Sequence, residues 1–145
     1  MNIKLVKSNL NDSQFIFKLR NRKDVRKNSI NNEIISYSSH KNWFNKILRS
    51  TNHKIYTIKF KNKSIGYVRS LKNNNDKSYE VSIAIINNFR KKGIGKTALI
   101  YLGKKIKKSS FSAKVFKKNL NSLYLFLSCG YFIISESKKF YIMKK

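Results

Sequence analysis

Apolar and polar positions recur along this chain with two periods, and the switches between them mark out the elements. Ile3-Lys4-Leu5-Val6 alternates as a short strand, and Asn11-Asp12-Ser13 supplies N-cap residues for a helix that carries Phe15, Ile16 and Leu19 inward and ends near Arg20-Asn21. Residues 22–39 have no regular period; irregular segments over a rigid scaffold often form binding sites. His40-x-x-Trp43-Phe44 opens a second helix through Ile47-Leu48. Two strands follow, at 55–60 and 65–69, joined by the polar turn Lys61-Asn62-Lys63-Ser64. An exposed connection over 72–77 leads to a buried central strand at 80–86.

Beyond residue 93 the period changes to that of a helix. Ile94, Ala98, Leu99, Leu102 and Ile106 form one apolar stripe, and Lys104, Lys105, Lys107 and Lys108 crowd the last turn, where positive charge suits the helix dipole. A strand is predicted over 111–116, and Asn119 caps the next helix. On that helix Leu120, Leu123 and Leu127 form the stripe expected in the core, while Asn119, Ser122 and Phe126 form a second. Gly130 stops the helix in the position of a C′ glycine. Strands at 131–135 and 140–143 close the chain.

The stretch from Ile83 to Leu99 carries the strongest chemical signal. A strand runs into Arg90-x-x-Gly93-x-Gly95 and then directly into a helix. The first turn of a helix has unpaired N–H groups and the positive end of the dipole, and glycines admit a phosphate without a Cβ in the way. Gly95-Lys96-Thr97 resembles the end of a P-loop, but that spacing requires glycine at position 90, where this chain has Arg90. A dinucleotide fold needs Gly-x-Gly-x-x-Gly at an early strand with an acidic residue some way on, and neither is present.

Composition adds bounds. The 145 residues contain no Pro-rich or Gly/Ser-rich linker, which predicts one domain, 1–145. The net charge of +27, from 33 Lys and Arg against 6 Asp and Glu, is the usual footprint of a nucleic-acid partner. Here Lys, Asn and Ile are all abundant together, as an AT-rich coding sequence produces whatever the function, so nucleic acid is not the expected partner. The same field would steer an anionic cosubstrate or acceptor. The single Cys129 excludes an internal disulfide and a cysteine metal cluster; no metal is expected. No signal peptide or apolar run of about 18 residues is seen, and the expectation is a cytoplasmic protein without a membrane partner.

The glycine loop resembles the acetyl-CoA loop of the GNAT superfamily of N-acetyltransferases, whose pattern is Arg/Gln-x-x-Gly-x-Gly/Ala after a strand. Asn119-x-x-Ser122-x-x-x-Phe126-x-x-x-Gly130-Tyr131 is similar to the family's Asn-x-x-Ala/Ser-x-x-x-Tyr-x-x-x-Gly-Phe helix. The resemblance covers nearly the whole chain. It implies an α/β (α+β) fold, with a mixed, mostly antiparallel central sheet flanked by helices and a splayed central strand pair forming an acetyl-CoA slot. Leu19-Arg20-Asn21, Val25-Arg26, Ile35-Ser36, His40-x-x-Trp43-Phe44 and Glu80-Val81-Ser82 look like two subgroups of the family. One acetylates the 4-amino group of nucleotide-linked dideoxy sugars in pseudaminic-acid-type pathways, and the other acetylates protein N-termini, including those of ribosomal proteins. The His-x-x-Trp-Phe pattern favours the sugar branch. A non-catalytic basic module bound to RNA or ribosomes is the reading from a different class.

Acetyl transfer to an amine needs a deprotonated amine, donors for the developing oxyanion and a proton for the departing thiolate. The resemblance places acetyl-CoA against Ile83, Ile85, Arg90, Lys91, Lys92, Gly93, Ile94, Gly95, Lys96, Thr97, Asn119 and Phe126. The family's thiol-protonating Tyr falls at Phe126, which has no hydroxyl, and Tyr124 lies about 200° around the helix. Ser122 is the candidate donor to the leaving sulfur, against the alternative of a capping serine. Glu80 is the candidate base through a water, against a strand-end glutamate paired to lysine; His40 is the alternative base. Arg20, Asn21, His40, Trp43 and Arg69 are the candidate acceptor residues, with Trp43 also readable as core and Arg69 as solvated. Cys129 reads as a packed small residue, so the amine is expected to attack directly, without an acyl-enzyme.

Overall fold

The computed structural model describes residues 2–107 and 109–145, so the expectation for Lys108 lies outside the described residues. The alternating segments fold as β1 (Ile3–Lys7), β2 (His53–Phe60), β3 (Lys63–Lys72), β4 (Tyr79–Ile85), β5 (Phe111–Phe116), β6 (Phe132–Glu136) and β7 (Phe140–Lys144). They form one seven-stranded sheet in the order β1-β2-β3-β4-β5-β7-β6. Every pairing is antiparallel except that of β4 with β5. This is the expected mixed, mostly antiparallel sheet flanked by helices. Its last two strands are out of chain order, with β6 at the edge.

Helices cover both faces. On one lie α1 (Ser13–Asn21), the single turn α2 (Lys23–Arg26) and α3 (Tyr37–Arg49). Ile16, Leu19, Phe44 and Ile47 of these helices bury against Ile55 of β2 and Tyr67 of β3. On the other face lie α4 (Ile94–Lys105) and α5 (Leu120–Ser128), where Ile94, Ala98, Leu99, Leu102 and Phe126 pack on Val68, Val81, Ala113 and Met143. Among the described residues no helix is long and apolar enough to cross a membrane.

The caps explain most element boundaries. The N-cap of α1 is Asp12, within the expected 11–13 stretch, and its side chain turns back to accept the Asn9 N–H at 2.9 Å, closing a 3₁₀ turn over Leu10–Asp12 that Asn9 caps in turn. Ser36 caps α3 by accepting the Ser39 N–H at 3.1 Å, one turn earlier than the His40 start expected. Among the described residues of the expected lysine cluster, Lys104 and Lys105 lie in the last turn of α4 and Lys107 lies beyond it.

The expectation for α5 needs correcting. Leu120 and Leu127 are 53% and 43% exposed, whereas Phe126 is 3% exposed. The buried stripe is therefore Phe126 and Cys129, with Leu123 and Leu125 flanking it. The reason lies at the helix end, where Gly130 sits at φ 87°. Gly130 N–H bonds the Leu127 carbonyl and Tyr131 N–H bonds the Phe126 carbonyl, both at 3.1 Å, in a Schellman arrangement. The Tyr131 ring meets the Phe126 ring edge-on at 4.9 Å, so the apolar contact that accompanies this cap chooses the inward face. Phe126→Ala is expected to cost about 3–5 kcal/mol, and Leu120→Lys less than about 0.5 kcal/mol. Urea unfolding midpoints of the two variants check this.

Candidate active site

The register of β4 creates the gap on which the site is built. Ile86 N–H bonds the Ile65 carbonyl at 2.9 Å, in line with the Gly66–Ile85 pair. By the alternation of an antiparallel ladder, Ser82 and Ala84 then aim their backbone groups at β3, and Ile83 and Ile85 aim theirs toward β5. Pairing with β5 is confined to Tyr79–Phe111 and Glu80–Ser112. The groups of Ile83 and Ile85 therefore face the space where the strands part. Gly66 lets β3 approach closely here, since a Cβ at that position would fall 2.5 Å from the Ala84 carbonyl oxygen.

The loop after β4 presents a concave set of N–H groups. A 3₁₀ turn over Asn87–Phe89 leads to Arg90, and then Lys91 and Gly93 take left-handed backbone conformations at φ 57° and 77°. A lysine in that region costs on the order of 1 kcal/mol, and such strain is characteristic of preorganised sites. Successive N–H groups arranged this way form an anion nest. Helix α4 starts with no side-chain cap, so the N–H groups of its first turn are open, while the Thr97 N–H already bonds the Gly93 carbonyl at 3.1 Å. The Thr97 hydroxyl donates to the same carbonyl. Lys91, Lys92 and Lys96 are exposed around this nest.

Arg90 behaves differently from those lysines. Its Nε donates to the Ile85 carbonyl at 2.7 Å, and its Nη2 lies 2.7 Å from Asp24 Oδ2. Asp24 also accepts from Arg22 Nε at 3.1 Å. Although partial burial opposes ionisation, the hydrogen bonds and charges of Arg90 and Arg22 hold the Asp24 carboxyl below its usual range. Sequence reasoning missed Asp24, which lies in the irregular segment and becomes a neighbour of the loop only in three dimensions.

Across the gap, the N-terminus of α5 holds the candidate donor. Asn119 caps the helix by accepting the Ser122 N–H at 3.3 Å, and its amide donates to Ser122 Oγ at 3.0 Å. The Ser122 hydroxyl is thereby fixed as an acceptor from Asn119 and keeps its own proton to give elsewhere. Phe126 is in the core, edge-on to Tyr131.

On the face covered by α1 and α3, Trp43 is the centre. The Arg20 guanidinium lies 3.8 Å from its ring centroid and that of Arg69 5.5 Å. Arg69 also donates to Ser82 Oγ at 2.6 Å. His40 is fully buried; its Nε2 donates to the Ser13 carbonyl at 3.0 Å and its Nδ1 lies 3.3 Å from Arg20 Nη1. Burial and the Arg20 charge push the His40 imidazole below its usual pKa, so it is a neutral acceptor that orients Arg20. This geometry does not suit the expected proton-accepting role. Nor is Asn21 free for an acceptor: its amide bonds both backbone groups of Ile35 at 2.8 Å and pins the irregular segment. Glu80 pairs with Leu71 as Ser82 pairs with Arg69, which places it on the same face, exposed, at the end where β4 still joins β5. No cationic partner lies within ion-pair distance of Glu80 among the described residues. His53 was not foreseen; its ring meets Trp43 edge-on at 6.2 Å.

A model of the acetyltransferase (GNAT) family matches residues 17–131. The chain belongs to this family. As such it is an acetyltransferase that uses acetyl-CoA, and the nest, the open α4 terminus and the exposed lysines fit that cosubstrate's diphosphate. The Ile83 backbone groups and the Ile85 N–H face the gap open to its amide-bearing arm, while the Ile85 carbonyl is taken by Arg90. Solved structures share the fold. Spermidine N-acetyltransferase from Vibrio cholerae, in complex with CoA and spermine, is 19% identical with a TM-score of 0.86, over 99% of this chain and 94% of that one. Campylobacter jejuni N-acetyltransferase PseH, with acetyl coenzyme A, is 24% identical with a TM-score of 0.74, over 99% and 98%. The microcin C7 self-immunity acetyltransferase MccE, with acetyl-CoA and AMP, is 21% identical with a TM-score of 0.82, over 99% and 91%. No curated protein matches the acetyltransferase at the level of sequence.

Burial, with a smaller contribution from Arg69, pushes His53 from 6.5 to about 4. The unfolded chain therefore binds the extra proton between those values, and the stability associated with neutral His53 is lost as pH falls from about 6.5 to about 4. Urea midpoints of the wild type and His53→Gln are expected to converge over that window.

Proposed function

We propose that this acetyltransferase transfers acetyl to a primary amine on an anionic acceptor, the 4-amino group of a nucleotide-linked amino sugar. The observation that carries the proposal is the pair Arg20 and Arg69 over Trp43. Among the described residues neither guanidinium has a carboxylate within ion-pair distance. Burial and the neighbouring Arg69 charge push Arg20 below its usual pKa, against the opposing influence of Tyr67. Two such cations attract phosphate and repel a protonated polyamine. The nucleotide bound by MccE and the sugar-branch resemblance of His40-x-x-Trp43-Phe44 support the same choice over the spermine of the Vibrio enzyme.

In this reading the cosubstrate supplies the acetyl group as an activated thioester. Arg20 and Arg69 hold the acceptor's phosphates, His40 orients Arg20, and Trp43 gives a flat surface beneath them. Glu80, exposed on the same face, takes the amine proton through water. Ser122 donates its hydroxyl proton to the departing sulfur. Ser122 also favours a second reading, because the subgroup that acetylates protein N-termini carries serine at this position. A non-catalytic RNA-associated role rests on the +27 charge and on Phe126 standing where the family has its Tyr, and the intact glycine loop argues against it.

Coenzyme A release with three acceptor pools tests the proposal: UDP-linked 4-amino sugars, peptides with N-terminal Ala or Ser, and spermidine. Release with the sugars alone is expected. Release with the peptides alone transfers the assignment to the second reading, and release with spermidine alone overturns the anionic site. With the sugars, Arg69→Gln is expected to raise the acceptor KM about tenfold, the loss of a charge-assisted contact of roughly 1.4 kcal/mol, and to leave the acetyl-CoA KM unchanged. Glu80→Gln is expected to lower kcat with the sugars by about a hundredfold or more, as loss of a general base does, and to leave the acetyl-CoA KM unchanged.

A further inference from the structure

Residues 22–36 form a segment with its own internal bonding. Arg26 donates from Nε to the Asn21 carbonyl at 3.0 Å and from Nη1 to the Asn32 carbonyl at 3.2 Å. The Ser29 hydroxyl bonds the Val25 carbonyl, and Asn21 clasps Ile35 by both backbone groups. Among the described residues, the ion pair between Asp24 and Arg90 is the only polar link from this segment to residues 85–97. Arg90 in turn grips the Ile85 carbonyl, which faces the gap between β4 and β5, and its N–H closes the 3₁₀ turn on the Asn87 carbonyl at 3.1 Å. A guanidinium anchored at both ends has its rotamers restricted, so the strained backbone at Lys91 starts from a fixed residue.

We infer that Asp24 is a positioning residue for the cosubstrate loop, acting through Arg90, and that the same contact transmits occupancy of the loop to segment 22–36. Arg90 serves as the loop's internal strut, and the cosubstrate's phosphates are met by the nest and by Lys91, Lys92 and Lys96. Removing the Asp24 charge frees the Arg90 guanidinium, loosens the hold on Ile85 and separates the two segments. The rest of segment 22–36 keeps its bonds, because none of them uses Asp24 Oδ2.

The test uses coenzyme A alone, so it does not depend on which amine the enzyme acetylates. In the wild type, saturating coenzyme A is expected to slow amide hydrogen exchange in residues 90–97 and also in 22–36. In Asp24→Asn the first effect persists and the second disappears, while the dissociation constant for coenzyme A rises about two- to fivefold, in proportion to the loss of a partly exposed ion pair. Arg90→Gln is expected to reproduce both changes. The double variant should be no worse than either single one, the non-additivity of residues that act through one contact. Protection of 22–36 that is absent in the wild type, or unchanged in Asp24→Asn, overturns the inference, as does additive loss in the double variant. A purely structural role for Asp24 would lower the thermal midpoint and leave the protection pattern intact, which also overturns it.

Discussion

Everything in this enzyme follows from the parting of β4 and β5 after two register pairs. A strand in mid-sheet normally meets a partner along both edges, because buried backbone polar groups left unpaired cost free energy comparable to a lost hydrogen bond. Here Ile83 and Ile85 turn their groups toward the gap instead. One of them, the Ile85 carbonyl, is satisfied within the chain by Arg90. The remainder leave an open strand edge, of the kind an extended, amide-bearing chain can pair with. Placing the strained loop and the open α4 terminus immediately beyond puts the anion nest at the end of the same edge.

Charge placement matters more than net charge. Four of the six carboxylates have structural work: Asp12 closes the first turn, Asp24 meets Arg90 and Arg22, Asp76 meets Lys144, and Glu136 meets Lys117. Asp76 is held down to about 2, chiefly by its hydrogen bonds from Ser78. Glu80 stands apart from these pairings, on the sheet face it shares with Arg69, where Arg20 and Arg69 also have no carboxylate within ion-pair distance among the described residues. In a chain with so many cations, this separation of the few anions sets the polarity of the site.

The C-terminal helix shows how one position changes its task. Phe126 anchors the Schellman cap through its contact with Tyr131, whose phenol burial pushes further above its usual pKa. A hydroxyl at position 126 would sit within this apolar contact. The hydroxyl nearest in sequence on that stripe is Ser122, one turn earlier, where Asn119 fixes its orientation.

The sequence alone determined the order of elements, the strand–loop–helix cradle, the capping role of Asn119 and the stop at Gly130. Each is a local matter, set by apolar period, by orphan N–H groups at a helix start or by the left-handed tolerance of glycine. The inward face of α5 was not legible, because Leu120 and Phe126 are both apolar and only the Phe126–Tyr131 contact distinguishes them. Nor were the tasks of His40 and Asn21, whose side chains are engaged by Ser13, Arg20 and Ile35 across 14 to 27 residues. The Asp24–Arg90 pair and the convergence of Arg20 and Arg69 on Trp43 were decided only by tertiary structure. A side chain's period reports which way it faces, while its charge partner depends on which distant element the fold brings opposite.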